Sequence, residues 1–124
     1  MRKELDLFAN IRPVCVPSDG IDWMFFRENT EGAYALGSDG IDVTDDLALD
    51  FIVATTQGTE RLIRLAFEYT SKNDINKLTL VTKANVVKTT DGKFLQIGYE
   101  IAKEYPQVEA VSYTHLTLPT KRIV

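Results

Sequence analysis

The sequence predicts an α/β fold. Two observations carry this. After residue 59, stretches with helical spacing alternate with short apolar runs, and before it the chain reads as β-like segments broken by proline and Asp-Gly turns. Its 124 residues, 44% hydrophobic and 26% charged, supply one small core.

Leu5–Ile11 alternates at Leu5, Leu7, Ala9 and Ile11, predicting a short strand that Pro13 and Pro17 stop. Ser18-Asp19-Gly20 is a turn signal. Ile21–Phe26 is a compact, aromatic-bearing apolar run, the pattern of a buried central strand. It ends in Arg27-Glu28-Asn29-Thr30-Glu31-Gly32, and polar residues at the end of a buried strand are where α/β proteins place their sites. Ala33–Thr56 reads as β-like, with a hairpin-type turn at Ser38-Asp39-Gly40 and alternation from Phe51 to Thr56. A sheet this short with partly apolar faces needs a partner.

Thr59–Lys72 predicts a helix capped by Thr59, with Leu62, Ile63, Ala66, Phe67 and Thr70 on one face and Asn73-Asp74 at its end. Leu78–Val81 is a short strand leading into Thr82-Lys83-Ala84-Asn85. A second helix spans about Gly92–Tyr105, with Asp91 or Thr90 as cap and Pro106 as stop. Its apolar face is Phe94, Ile97, Gly98, Ile101, Ala102 and Tyr105. Val108 begins another strand that does not develop.

The chain divides at residue 110. Val111–Val124 is Thr-rich and follows neither helical nor strand spacing. A DNA string similar to a transposase-type sequencing adapter encodes Val111–Thr120 without mismatch. Residues 111–124 are therefore read as a non-native or disordered tail, and residues 1–110 as a cut native sequence.

Net charge is −4, which disfavours a broad nucleic-acid footprint. No apolar run reaches about 18 residues, so no membrane span is expected. The N-terminus Met-Arg-Lys-Glu has no apolar signal core behind it. Cys15 is the one cysteine; it is read as structural, and the chain as cytoplasmic. His115 is the one histidine, so histidine catalysis and a multi-histidine metal site are poorly supplied, and no metal ligands are assigned.

Arg2, Arg12 and Arg27 stand near strand or turn ends. Arginine's planar fork grips carboxylates through paired hydrogen bonds, and three converging forks suit a di- or tricarboxylic acid. Taken singly, each also suits a surface ion pair. Tyr34 follows Gly32-Ala33 and could donate a proton to a carbanion or enol; a half-buried strand tyrosine is the plainer role. Lys83 sits just past a strand, where shielding would favour proton shuttling, and exposure would make it an ordinary loop lysine. Asn85 could orient an amide, or simply form a turn.

Residues 2–110 resemble the isocitrate/isopropylmalate dehydrogenases, the metal-dependent decarboxylating β-hydroxyacid dehydrogenases. The resemblance runs through Arg2-Lys3-Glu4-Leu5-Asp6-Leu7-Phe8-Ala9-Asn10-Ile11-Arg12-Pro13 and Arg27-Glu28-Asn29-Thr30-Glu31-Gly32-Ala33-Tyr34. It continues in Gly58-Thr59-Glu60-Arg61, Ala66-Phe67-Glu68-Tyr69 and Thr82-Lys83-Ala84-Asn85-Val86-Val87-Lys88. It implies a fragment of that fold: part of the central sheet plus a β-arm, residues 33–56, through which two subunits interlock as a homodimer.

The same resemblance implies that Arg2, Arg12 and Arg27 bind substrate carboxylates. Tyr34 would protonate the enol left by decarboxylation. Lys83 would assist proton removal from the substrate hydroxyl in the partner subunit's site, and Asn85 would lie near the nicotinamide. The implied reaction oxidises a 2-hydroxy acid with NAD and Mg2+ or Mn2+, then releases CO2. Asn29-Thr30-Glu31-Gly32 resembles isocitrate- and tartrate-type members more than isopropylmalate-type ones. Isocitrate is therefore the expected substrate, with 3-isopropylmalate, homoisocitrate, tartrate and D-malate as alternatives. The family's glycine-rich N-terminal segment, metal carboxylates and adenosine loop have no counterpart here, so the chain alone is expected to lack turnover. A rival from another class is a non-catalytic module that dimerises through the arm and binds carboxylates; it predicts a clean dimer with a cooperative urea transition.

Overall fold

The computed structural model describes residues 4–33 and 39–113. The chain forms two compact units, Met1–Leu62 and Ile63–Val124.

In the first unit, β1 (Ala9–Val16) and β2 (Ile21–Glu28) pair antiparallel without a break, from Ala9 opposite Glu28 to Val16 opposite Ile21. A single 3-10 turn over Pro17–Asp19 joins them where the sequence signals a turn. Two expectations change. β1 starts at Ala9 and runs through Pro13 instead of stopping there. An edge strand has an open side, and a missing N–H on that side breaks no ladder bond. β2 is one of two strands, not a buried central one, and Phe25 is 39% exposed. An apolar run signals apolar faces; it does not show whether the same chain covers them.

β3 (Ile41–Thr44) and β4 (Leu47–Leu49) form an exposed hairpin whose register slips between Asp42 and Thr44. Its turn falls at Asp45-Asp46, while the expected turn at Ser38-Asp39-Gly40 begins outside the described residues. The alternation from Phe51 to Thr56 yields no strand. Val53 makes one bridge to Gly32, exchanging bonds of 2.7 and 3.0 Å. Gly32 holds φ +70°, a conformation that disfavours any side chain.

The first helix, α1 (Thr56–Lys72), begins three residues before the expected cap. Thr55 caps it: its hydroxyl accepts the Gly58 amide at 3.0 Å. Thr59 instead lies inside the helix, on a buried stripe with Leu62, Ile63, Ala66, Phe67 and Thr70, the predicted face extended by one turn. The buried Thr70 hydroxyl is satisfied by the Ala66 carbonyl at 2.6 Å. The helix stops as predicted, with Asp74 at φ 53°.

The second unit is a β-α-β layer. β5 (Lys77–Val81) and β6 (Glu109–Tyr113) run parallel, joined through α2 (Thr90–Ala102). Ile63, Phe67, Ile97, Ile101 and Val108 form its core, with Leu78, Phe94, Ala102, Tyr105 and Ala110 packed against it. This confirms the α/β class and the predicted face of α2. The ends of α2 differ: Thr89 is the N-cap position without a side-chain bond, and the helix closes at Lys103, short of Pro106. The strand after Val108 does develop. Leu78–Val81 pair with Ala110–Tyr113, so Val111–Tyr113, expected to begin a tail, lie in the sheet. Parallel pairing uses backbone groups, which a five-residue strand supplies without side-chain alternation. Residues 114–124, His115 among them, lie outside the described residues.

Arg64 of α1 donates to Glu104 just past α2 at 2.6 Å. The hydrogen bond from Arg64, then its charge, lower the Glu104 pKa. A lowered carboxylate pKa stabilises the fold above the unfolded value, and that contribution fades as pH falls through the folded one. In an NMR titration Glu104 should titrate below ordinary glutamates, and Arg64→Met should bring it back among them. No described helix is long and apolar enough to cross a membrane.

Candidate functional site

Residues directly opposite in an antiparallel ladder share a face. Asn10 lies opposite Arg27 and Arg12 opposite Phe25, so both arginines stand on one face of the ribbon as diagonal neighbours, Cα atoms about 7–8 Å apart. Both are exposed. Asn10 Oδ1 accepts Arg12 Nε at 2.8 Å, which orients one guanidinium. Two arginines so placed can meet two carboxylates of one small acid. Arg2 and Tyr34, the other predicted members of the set, lie outside the described residues.

The stretch after Arg27 is fixed by its neighbour. Glu28 Oε1 accepts the backbone amides of Asn29 at 3.1 Å, Thr30 at 2.9 Å and Glu31 at 3.1 Å, and the Thr30 hydroxyl at 2.9 Å. Asn29 is pinned twice more: its amide donates to the Phe8 carbonyl and its Nδ2 to the Leu7 carbonyl, at 2.9 and 2.8 Å. Arg61 closes the group. It donates to Asp6 at 2.9 Å and to the Thr30 hydroxyl at 2.9 Å, and its guanidinium stands 4.7 Å from the Phe8 ring centroid. Glu31 then reaches the start of α1, where its carboxylate accepts the Thr55 amide at 3.0 Å and the Thr55 hydroxyl. Gly58 leaves room for that carboxylate; a Cβ there would run into Glu31.

In the second unit, Lys83 and Asn85 share the turn that follows β5. The Lys83 amide donates to Asp91 Oδ2 at 2.7 Å, and its carbonyl accepts the Val86 and Val87 amides at 2.9 and 2.8 Å. Lys83 is half-buried and Asn85 exposed. The Asn85 amide suits the carboxamide of a nicotinamide, one contact of the many such a cofactor needs. Among the described residues no three His, Cys, Asp or Glu side chains cluster as a metal requires. These residues do not fit a cation by themselves.

Glu28 and Arg61 are organising residues that sequence reasoning does not pick out; Asp91, expected as a possible helix cap, stands in the first turn of α2 and accepts the Lys83 amide. Glu28 carries a usable signal: a carboxylate at a strand end, followed by three residues whose amides it can reach. Cys15, expected to be structural, is exposed on the ribbon face opposite the arginines.

A parallel β-α-β layer preceded by an arginine-bearing ribbon defines an α/β protein. The chain belongs to the isocitrate/isopropylmalate dehydrogenase family, whose profile matches residues 1–115. It is 41% identical over 120 residues to the 3-isopropylmalate dehydrogenase of Methanothermobacter thermautotrophicus, covering 91% of this chain and 35% of that one. It is 37% identical over 129 residues to the homoisocitrate dehydrogenase of Methanocaldococcus jannaschii, covering 91% and 36%. Its fold matches the crystal structure of isocitrate dehydrogenase from Methylococcus capsulatus with a TM-score of 0.81 at 40% identity, covering 90% and 35%. The chain thus spans about a third of the length of these relatives.

Proposed function

We propose that this chain carries the carboxylate-binding ribbon and the proton-handling lysine of an NAD-dependent decarboxylating 2-hydroxy-acid dehydrogenase whose substrate is isocitrate. The observation that supports this reading is the placement of Arg12 and Arg27 on one exposed ribbon face in a member of this family. Arg12 and Arg27, with Arg2, hold the acid's carboxylates. Lys83 takes up the hydroxyl proton as the carbinol carbon is oxidised. Asn85 would orient the carboxamide of a bound NAD, which would supply the acceptor for the hydride leaving that carbon. Loss of the β-carboxylate as CO2 leaves the enol as its enolate, to whose carbon Tyr34 delivers a proton. Residues 33–56 interlock two subunits as a homodimer, and Lys83 serves the partner's site. In this reading the 124 residues alone have no turnover. Isocitrate is preferred among the candidate acids because of Asn29-Thr30-Glu31-Gly32.

The test is to express the full reading frame of the source gene and follow NAD reduction with Mg2+ or Mn2+ present. Isocitrate, 3-isopropylmalate, homoisocitrate, tartrate and D-malate are compared. Isocitrate is expected to give the highest kcat/KM, and a higher value with another acid overturns the substrate. Arg27→Ala should lower kcat/KM by about a hundredfold or more, since it removes charge-assisted bonds worth about 1.5–3 kcal/mol each. An unchanged kcat/KM removes Arg27 from the clamp.

A further inference from the structure

Lys83 has a backbone held from both sides. Its carbonyl accepts two amides, from Val86 at 2.9 Å and Val87 at 2.8 Å, which close the turn behind it. Its amide donates to a carboxylate eight residues away, Asp91 Oδ2, at 2.7 Å. That second bond is the informative one. Backbone amides after a strand are ordinarily satisfied by backbone carbonyls or water; here the partner is a side chain on the first turn of α2, in a part-buried bond. The N-terminal end of a helix favours a negative charge, so Asp91 is stabilised where it stands. α2 is anchored in turn by Ile97, Gly98 and Ile101, all buried, with Ile97 and Ile101 in the second unit's core. The position of the lysine's Cα is therefore tied through one carboxylate to a packed helix, not left to a surface turn. A long side chain amplifies any shift at its root, and displacement of a reacting group by about 1 Å can cost about a hundredfold in rate.

We propose that Asp91 is the positioning residue for Lys83: its carboxylate, by accepting the Lys83 amide, sets where the lysine amine meets the substrate hydroxyl. The proposal rests on the reading of Lys83 given above. Asp91 itself touches no reacting atom.

The test uses the enzyme expressed from the full reading frame. Asp91→Ala and Asp91→Ser both remove an acceptor able to reach the Lys83 amide; serine keeps a polar group suited to a helix start should alanine fail to fold. Both should lower kcat by about tenfold to a hundredfold, with KM for the acid unchanged. Asp91→Asn keeps an acceptor oxygen at the same reach and should restore most of the lost kcat. In a Lys83→Gln background, Asp91→Ala should cost nothing further, because the residue it positions is gone. A second loss of full size in that background marks Asp91 as a general structural residue and overturns the proposal. So does parent-like kcat in Asp91→Ala and Asp91→Ser while Lys83→Gln lowers it. If Lys83→Gln itself keeps the parent kcat, the role of Lys83 fails first, and the positioning role falls with it.

Discussion

Phe67→Ala should destabilise the second unit by about 3–5 kcal/mol, the loss that follows when a buried ring leaves a cavity. Phe67 is fully buried, packed with Ile63, Ile97, Ile101 and Val108. Its ring stacks on Tyr105 with centroids 5.3 Å apart and planes 19° from parallel. Three elements meet at this side chain: α1, α2 and the segment entering β6. Small domains hold about 5–15 kcal/mol in total, so the substitution removes a large share. In urea the midpoint should fall by about 1 M or more. Phe67→Leu keeps much of the volume and loses the ring pair, worth about 0.5–1.5 kcal/mol, and should fall between parent and alanine. Equal midpoints for parent and Phe67→Ala would show that the core is not assembled around this ring.

The place of Phe67 in the core is legible in the sequence itself. It lies at the centre of a run spaced 62, 63, 66, 67 and 70, and a stripe of that width has one stable resolution, a helix with the stripe turned inward. The face of α2 follows from the same spacing, and Asn73-Asp74 marks the end of α1 because such residues tolerate the left-handed turn Asp74 adopts. Where sequence and structure part, the deciding term is non-local. Pro13 resembles a stop because a central strand cannot spare its N–H, and the sequence does not say which strands are edges. Thr59 resembles a cap because it precedes Glu60, yet Thr55 takes the role once the Glu31 carboxylate, twenty-four residues away, holds it in place. β6 escapes the sequence because its pairing with β5 is made by backbone and leaves little trace in a five-residue stretch.

The candidate site shows the same division. That arginines at 12 and 27 share a face follows from strand register, which the structure supplies and the spacing does not. The amide bonds of Glu28 and Asp91 stay hidden in the sequence for a related reason, although Asp91 is legible as a helix-start residue. Each acts on backbone amides, and any sequence has amides everywhere. What makes these carboxylates matter is the local path of the chain, which gathers several N–H groups around one oxygen or brings one amide to a helix start.

Glu28→Ala tests that statement most severely. The substitution strands the Thr30 and Glu31 amides and the Thr30 hydroxyl, which donate to Oε1 in the parent, while the Asn29 amide keeps the Phe8 carbonyl. Asn29 and Thr30 are 7% and 9% exposed, so water has little access to replace the lost acceptor. A buried donor left unsatisfied costs about 1–3 kcal/mol, and the three share one oxygen, so their losses do not add; about 3 kcal/mol is expected for the whole. The Thr30 amide should then exchange with solvent about a hundredfold faster, the equivalent of about 2.7 kcal/mol. Glu28→Gln keeps a carbonyl oxygen but not the charge. Charge-assisted bonds are about twice as strong as neutral ones, so it should recover about half of the protection. The effect should also stay local: amides of β1 near Val14, far along the ribbon from Glu28, should exchange as in the parent. If Thr30 is unprotected in the parent chain, or if alanine leaves its exchange unchanged, Glu28 does not organise the turn after Arg27. Arg27 would then owe none of its placement to Glu28.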